Sequence, residues 1–123
     1  MINMDAPYRD VLGYALKEAD VFSLVWRHEF RFSKSADDLE EKLDKFKIDE
    51  QITSSWPGTE LIEGRATVKK YQVTVKSIEI LGEVSDVFSW LSPEYPEDLA
   101  FYKKGRVLFG SIAHEREAWF EKI

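Results

Sequence analysis

The side chains most suited to chemistry are four polar residues near the end of the chain. Glu97 and Asp98 enter a predicted β-hairpin, and His114 and Glu115 leave it. Because antiparallel strands bring such ends together, we expect these four residues to be neighbours. A carboxylate beside an imidazole makes the imidazole a stronger base and fixes its tautomer, which suits a general base or part of a metal site. A structural interpretation stays open, in which Asp98 caps a turn and His114 or Glu115 caps the last element.

No established catalytic motif accompanies these four residues. His114-Glu115 begins like a zinc-protease motif, but Ala118 occupies the position where that motif needs its second histidine. The glycines are too scattered for a phosphate-binding loop, and the chain contains no cysteine, which excludes thiolate chemistry and cysteine-based zinc sites. We therefore assign no nucleophile, no metal site and no cofactor, and the four residues remain candidates only.

A second polar set lies on a predicted helix whose N-cap is Ser35. Its apolar residues recur at helical spacing, and its other face is acidic. We expect this acidic helix, taken from Asp37 to Glu50, to bind a basic protein partner. The partner-binding residues predicted on it are Asp37, Glu40, Glu41 and Asp44.

Composition sets limits on the class of protein. The chain has 123 residues, of which 44% are hydrophobic, and a net charge of −6. These values predict one globular domain over residues 1–123. The acidic surface would repel phosphate, so we expect neither nucleic-acid nor membrane binding. The longest strongly apolar stretch, Val21–Trp26, is too short to cross a bilayer, and the N-terminus lacks the pattern of a signal peptide. We therefore expect a cytoplasmic protein.

Hydrophobic periodicity predicts the elements that position these residues. Period-two alternation gives the strand Val21–Phe32, in which His28 falls on the apolar face. The remaining predictions are a helix over 6–19 with Asp5 as its N-cap, a short strand Gln51–Trp56, a strand over 65–74 with a bulge near Lys69 and Lys70, a helix over 75–91, a hairpin of Leu99–Tyr102 and Arg106–Ile112, and a final helix over 114–122.

This order predicts an α+β fold in which a mostly antiparallel sheet carries helices on one face. Its middle resembles the ferredoxin-like βαββαβ arrangement, with extra N- and C-terminal helices. Such a topological resemblance indicates no activity.

Three stretches of sequence carry a resemblance to other proteins. They are Trp56-Pro57-Gly58-Thr59-Glu60-Leu61, Pro96-Glu97-Asp98-Leu99-Ala100-Phe101 and Ser111-Ile112-Ala113-His114-Glu115. Together they resemble a group of short bacterial proteins of unknown function, some of which carry a stage III sporulation name by automated transfer. The resemblance covers roughly Trp26 to the C-terminus. It implies no mechanism and supplies no catalytic residues.

Small size, acidic bias and the lack of a catalytic set favour a non-enzymatic interaction protein, immunity-like or regulatory, over an enzyme. The alternative is a small-ligand- or metal-dependent enzyme that uses the Asp/Glu–His residues. A third interpretation is a structural subunit that forms a homodimer through an exposed aromatic patch.

Overall fold

The computed structural model describes residues 2–3 and 7–121 of the chain. Within these ranges the α-helices are α1 (Tyr8–Glu18), α2 (Lys34–Leu43) and α3 (Val75–Leu81). The strands are β1 (Ile2–Asn3), β2 (Val21–Arg27), β3 (Lys47–Thr53), β4 (Ser55–Trp56), β5 (Thr59–Glu60), β6 (Ala66–Gln72), β7 (Glu97–Lys103), β8 (Arg106–Ile112) and β9 (Glu117–Phe120). Short 3-10 helices occur at Asp44–Phe46, Val87–Ser89 and Ala113–Glu115.

Seven of the described strands form one sheet in the order β1-β9-β8-β7-β2-β6-β3, and neighbouring strands run antiparallel. The predicted α+β class and mostly antiparallel sheet are confirmed. Helix α2 lies between β2 and β3 in the chain, and α3 lies between β6 and β7. The two remaining strands, β4 and β5, form a separate small hairpin.

All three α-helices contribute to a core on one face of this sheet. The period-two pattern of β2 directs Phe22 and Leu24 into that core, where neither side chain is exposed. Apolar helix residues spaced three or four apart meet them, as Leu39 and Leu43 of α2 do. Burying a large apolar side chain fully contributes roughly 1.5–3 kcal/mol, so this layer supplies most of the hydrophobic stabilisation.

The small β4–β5 hairpin covers part of the opposite face. Trp56 packs there with Val25, Ala66 and Val68. The turn of this hairpin needs Gly58, whose φ of 86° is left-handed and whose Cβ would overlap the ring of Trp119. The strand β6 is therefore covered on both faces.

Two-sided burial explains the irregular apolar pattern of β6. Ala66 and Val68 face the small hairpin, while Tyr71 faces the helices. The bulge predicted at Lys69 and Lys70 is wrong as placed. It lies in the neighbouring strand β3, where the register shifts between Lys47 and Asp49.

The predicted C-terminal helix is wrong. The chain forms a 3-10 helix at Ala113–Glu115, turns at Arg116 with a left-handed φ of 53°, and continues as β9, which pairs with β8. Trp119 packs over Gly110, where an added Cβ would lie 2.5 Å from the ring. Sheet pairing and this ring contact outweigh the local helical tendency of the segment.

Other predicted boundaries also change. The helix predicted over 75–91 ends at Leu81, and a 3-10 helix at Val87–Ser89 follows. The strand predicted to reach Phe32 ends at Arg27. The N-cap predicted at Asp5 lies outside the described residues, and the N-cap of α2 is Ser33 rather than Ser35. None of the described helices has the length and apolar character needed to cross a membrane.

Candidate functional site

A bulge in β7 places two acidic residues on the face that carries the small hairpin. Ser23 pairs with Ala100, and Val25 pairs with Glu97, so Asp98 and the residue after it lie opposite a single residue of β2. Asp98 has a left-handed φ of 58°, which aspartate tolerates better than most residues. Glu97 is 3% exposed and Asp98 is 2% exposed.

The Asp98 carboxylate joins three parts of the fold. Its Oδ2 accepts a hydrogen bond from Trp56 Nε1 at 2.9 Å, and its Oδ1 accepts one from the backbone N–H of Ala113 at 3.0 Å. One buried side chain therefore fixes the small hairpin and the end of β8 to the bulge of β7. This accounts for the proximity of the three sequence stretches that carry the family resemblance.

His114 lies beside these two carboxylates. One ligand atom from each of Glu97, Asp98 and His114 lies within 4.8 Å of the other two. The 3-10 helix Ala113–Glu115 carries the imidazole, which is exposed while both acids are buried. Glu115 is exposed and is not a member of this group. The structure thus brings three of the four predicted candidates together, and we call them the Glu97–Asp98–His114 cluster.

Sequence reasoning missed two residues beside the cluster. Arg27 Nη1 lies 4.0 Å from Glu97 Oε1, while its Nη2 lies 3.0 Å from Glu29 Oε2. The Ser92 hydroxyl is buried next to Glu97 but makes no hydrogen bond of normal geometry. The pairing of Arg27 with Glu29 is local, and the sequence indicates it. Ser92 lies five residues before Glu97 in the chain, but the sequence does not predict that its hydroxyl is buried beside that carboxylate.

Burial governs the acidity of the cluster. Removal from water raises the pKa of Glu97. The nearby Ser92 hydroxyl opposes that shift, and the neighbouring Asp98 carboxylate adds to it. Burial likewise raises the pKa of Asp98, while its hydrogen bonds from Trp56 and Ala113 partly oppose the shift. Both groups therefore hold a proton more readily than exposed carboxylates do.

The predicted acidic helix is shorter than expected, because α2 ends at Leu43 and the chain enters β3 at Lys47. The helix prediction to Glu50 is wrong. Lys47 and the residues from 49 to 53 pair with β6, so this part of the chain is a strand and not a helix.

The four predicted partner-binding residues differ in availability. Asp37, Glu41 and Asp44 are exposed, and no salt bridge among the described residues includes them. Glu40 is half-buried and forms an ion pair with Lys69 of β6. Three of the four carboxylates are therefore presented to solvent, while Glu40 joins α2 to the sheet.

The strand β3 adds an edge to this acidic surface. It is the last strand in the sheet order, and six of its seven residues are exposed. Asp49 and Glu50 add two acidic side chains, and Ile52 is 60% exposed. The short strand predicted at Gln51–Trp56 overlaps β3 at residues 51–53, but the strand begins four residues earlier than predicted. We call Asp37, Glu41, Asp44 and strand β3 together the acidic edge.

Searches against protein-family models, curated proteins and solved structures find no match to this chain. The resemblance to short bacterial proteins stays a prediction, and the function is argued from the two sites alone.

Proposed function

We propose that the protein is a non-enzymatic interaction module, immunity-like or regulatory, that binds a basic segment of a partner protein along the acidic edge. The observation that carries this proposal is the exposure of β3 at the end of the sheet beside exposed acids of α2. An open strand offers backbone donors and acceptors to an incoming strand, which is a common way of recognising extended peptides.

Charge complementarity selects the partner. Residues 34–50 carry seven acidic and four basic side chains, which is half of the net charge of −6 for the whole chain. A basic segment would be attracted to this surface, and like charges would disfavour a second copy of the chain there. A basic protein partner is therefore favoured over a second copy of the chain at this surface. Sedimentation at several concentrations tests separately for the homodimer through an aromatic patch.

The regular part of β3 defines where pairing would occur. Asp49 to Thr53 pair with β6 residue by residue, whereas the bulge between Lys47 and Asp49 interrupts the strand at its start. A bulge and a lysine are features that limit indiscriminate edge pairing. The partner segment would therefore pair with about five residues, and its basic side chains would contact Glu41 and Asp44.

The test is affinity purification from the native lysate at moderate and high salt, with a charge-reversal variant beside the wild type. Asp37→Lys, Glu41→Lys and Asp44→Lys reverse three exposed acids of α2 and of the 3-10 helix that follows it, and leave the Glu40–Lys69 ion pair intact. The control reverses three exposed acids elsewhere, Glu18, Glu63 and Glu79. A basic protein retained by the wild type and the control, but not by the variant, supports the proposal. Equal retention by all three proteins contradicts it.

We further infer that the four strands β7, β2, β6 and β3 with helices α2 and α3 belong to the ferredoxin-like βαββαβ class. Support comes from their order in the sheet and from the position of each helix between strands. Absence of cysteine fits a reducing cytosol, and the resemblance to short bacterial proteins is the support for a bacterial source. Neither inference selects an activity.

A second candidate function rests on the Glu97–Asp98–His114 cluster. Two buried carboxylates and an imidazole within 4.8 Å of one another favour a ligand-dependent role, including the metal-dependent enzyme considered from the sequence. Single replacements of Glu97 and His114 that leave ligand binding unchanged would remove this candidate without affecting the first.

A further inference from the structure

The charges of the cluster are not balanced by the protein around it. Glu97 and Asp98 are both buried, and within the described ranges the cation nearest to Glu97 is Arg27 at 4.0 Å. That guanidinium makes its shorter contact, at 3.0 Å, with Glu29. Burying two carboxylates with a single shared cation is costly. A bound cation would remove that cost.

An independent observation points to a ligand at the same place. Ser92 is 8% exposed, and its hydroxyl, which lies beside Glu97, makes no hydrogen bond of normal geometry within the described residues. Buried hydroxyl groups are normally hydrogen-bonded, and an exception calls for a ligand or a water molecule. A bound ion, or a water molecule on that ion, would give the Ser92 hydroxyl a partner.

The donor set indicates the class of ion. Imidazole nitrogen with carboxylate oxygen is typical of zinc and related first-row divalent metals, whereas magnesium and calcium prefer oxygen alone. Three protein ligands with one side open to solvent also match the usual arrangement of a reactive zinc site. We propose that Glu97, Asp98 and His114 bind one zinc-class divalent cation.

The supporting contacts fit this role. Each oxygen of Asp98 accepts one hydrogen bond, from Trp56 or from Ala113, which orients the carboxylate and leaves a second lone pair on each oxygen. Zinc–ligand bonds of about 2.0–2.2 Å require the donor atoms to lie closer together than 4.8 Å. His114 is exposed, so its side chain has room to adjust its position on binding an ion.

This inference names the ligand of the second candidate function and involves neither α2 nor β3. If the protein binds Zn²⁺ but charge reversal at Asp37, Glu41 and Asp44 leaves partner binding unchanged, only the interaction proposal is contradicted. If the protein binds no Zn²⁺ but that charge reversal abolishes partner binding, only the metal-site proposal is contradicted.

The experiment is calorimetric titration of Zn²⁺ into the full chain after treatment with a chelator and desalting. We expect one Zn²⁺ per chain, with affinity lowered roughly tenfold or more by Glu97→Gln and by His114→Ala. The matched control is His28→Ala, because His28 is the other histidine and is exposed, with its Nε2 2.8 Å from Thr67 Oγ1. The control should bind Zn²⁺ like the wild type. Mg²⁺ at the same concentration should not compete.

Thermal unfolding with and without Zn²⁺ gives a second measurement on the same proteins. The midpoint should rise with Zn²⁺ for the wild type and the control, since an ion bound only by the folded state stabilises it. It should not rise for either cluster variant. His114 is exposed, so its replacement keeps the test valid if Glu97→Gln lowers stability. Three results would overturn the proposal. The wild type does not bind Zn²⁺, the cluster variants bind Zn²⁺ as tightly as the wild type, or the control loses as much Zn²⁺ affinity as the cluster variants do.

Discussion

Glu50 and Glu97 are the same side chain in opposite surroundings. Glu50 is exposed on the edge strand β3, where it accepts a hydrogen bond from Lys47 Nζ at 2.9 Å, and this contact, with the charge of Lys69, lowers its pKa. Glu97 is 3% exposed, and burial raises its pKa. The carboxylates of the acidic edge are exposed to water and lie near lysines, whereas the two carboxylates of the cluster are buried.

The acids of the two regions therefore differ in how much they affect the stability of the fold. Solvent-exposed ion pairs contribute little to stability, so the acids of the acidic edge are free to serve recognition. The buried acids affect stability directly through desolvation and through the hydrogen bonds of Asp98. Changes in the cluster should therefore alter folding strongly, and changes on the acidic edge should alter binding with little effect on folding.

The largest expected effect follows from removing the Asp98 carboxylate. Asp98→Ala leaves Trp56 Nε1 and the Ala113 N–H buried without acceptors, and each such group costs about 1–3 kcal/mol. We expect the free energy of unfolding to fall by about 3 kcal/mol in denaturant titration. The control, Glu115→Ala, changes an exposed neighbour of the cluster and should stay within about 0.5 kcal/mol of the wild type. An Asp98→Ala midpoint equal to that of the control would contradict this role.

A smaller effect tests how the small hairpin is held over the cluster. Gly58→Ala introduces a Cβ that overlaps the ring of Trp119, at a residue whose φ is 86°. Gly64→Ala is a matched control, because its φ is 83° but an added Cβ meets nothing within 4 Å. Overpacking typically costs about 1–3 kcal/mol, so Gly58→Ala should unfold at a clearly lower denaturant concentration than Gly64→Ala. Equal losses would mean that backbone strain alone matters.

The pH dependence of stability distinguishes Glu97 from Glu50. A raised pKa means that Glu97 binds its proton more tightly in the folded state than in the unfolded state. Its contribution to the free energy of unfolding is therefore full at low pH and declines as pH rises above about 4.3. The lowered pKa of Glu50 acts in the opposite direction, and its contribution is lost as pH falls. With a chelator present, Glu97→Gln should gain stability relative to the wild type between acidic and neutral pH, and Glu50→Gln should lose it. Parallel pH profiles for the two variants would contradict the contrast.

The smallest expected effect on folding lies at the acidic edge. Glu41→Lys with Asp44→Lys replaces two exposed acids, and the free energy of unfolding should change by no more than about 0.5 kcal/mol for each. Partner binding should nevertheless be lost. A large loss of stability in thermal or denaturant unfolding would show that these acids hold the fold together.

Part of the sheet could be predicted from local patterns along the chain. The strand beginning at Val21 follows from period-two alternation, and the hairpin of β7 and β8 follows from the Lys103-Lys104-Gly105 turn between two apolar runs. The C-terminal strand β9 could not be predicted in this way, because its formation depends on pairing with β8 and on packing of Trp119 over Gly110. The edge strand β3 lacks a buried face, so it has no hydrophobic alternation to detect.

The proximity of the three cluster residues could be predicted from the sequence, but their burial could not. A hairpin brings its two ends together, so the sequence alone predicts that Glu97 and Asp98 lie near His114. The bulge that directs both acids to one face depends on the register of β7 against β2, which the sequence does not specify. Burial of Ser92 and the shared role of Arg27 depend on tertiary packing in the same way.

Photo-cross-linking from the edge strand tests the interaction account most directly. A photoreactive residue replaces Gln51, which is exposed in the regular part of β3, or Gln72, which is exposed at the end of β6. The account predicts that position 51 cross-links to a basic protein in native lysate, that high salt removes the product, and that position 72 gives none. Cross-linking from position 72 alone, or equally from both positions, would contradict recognition along the acidic edge.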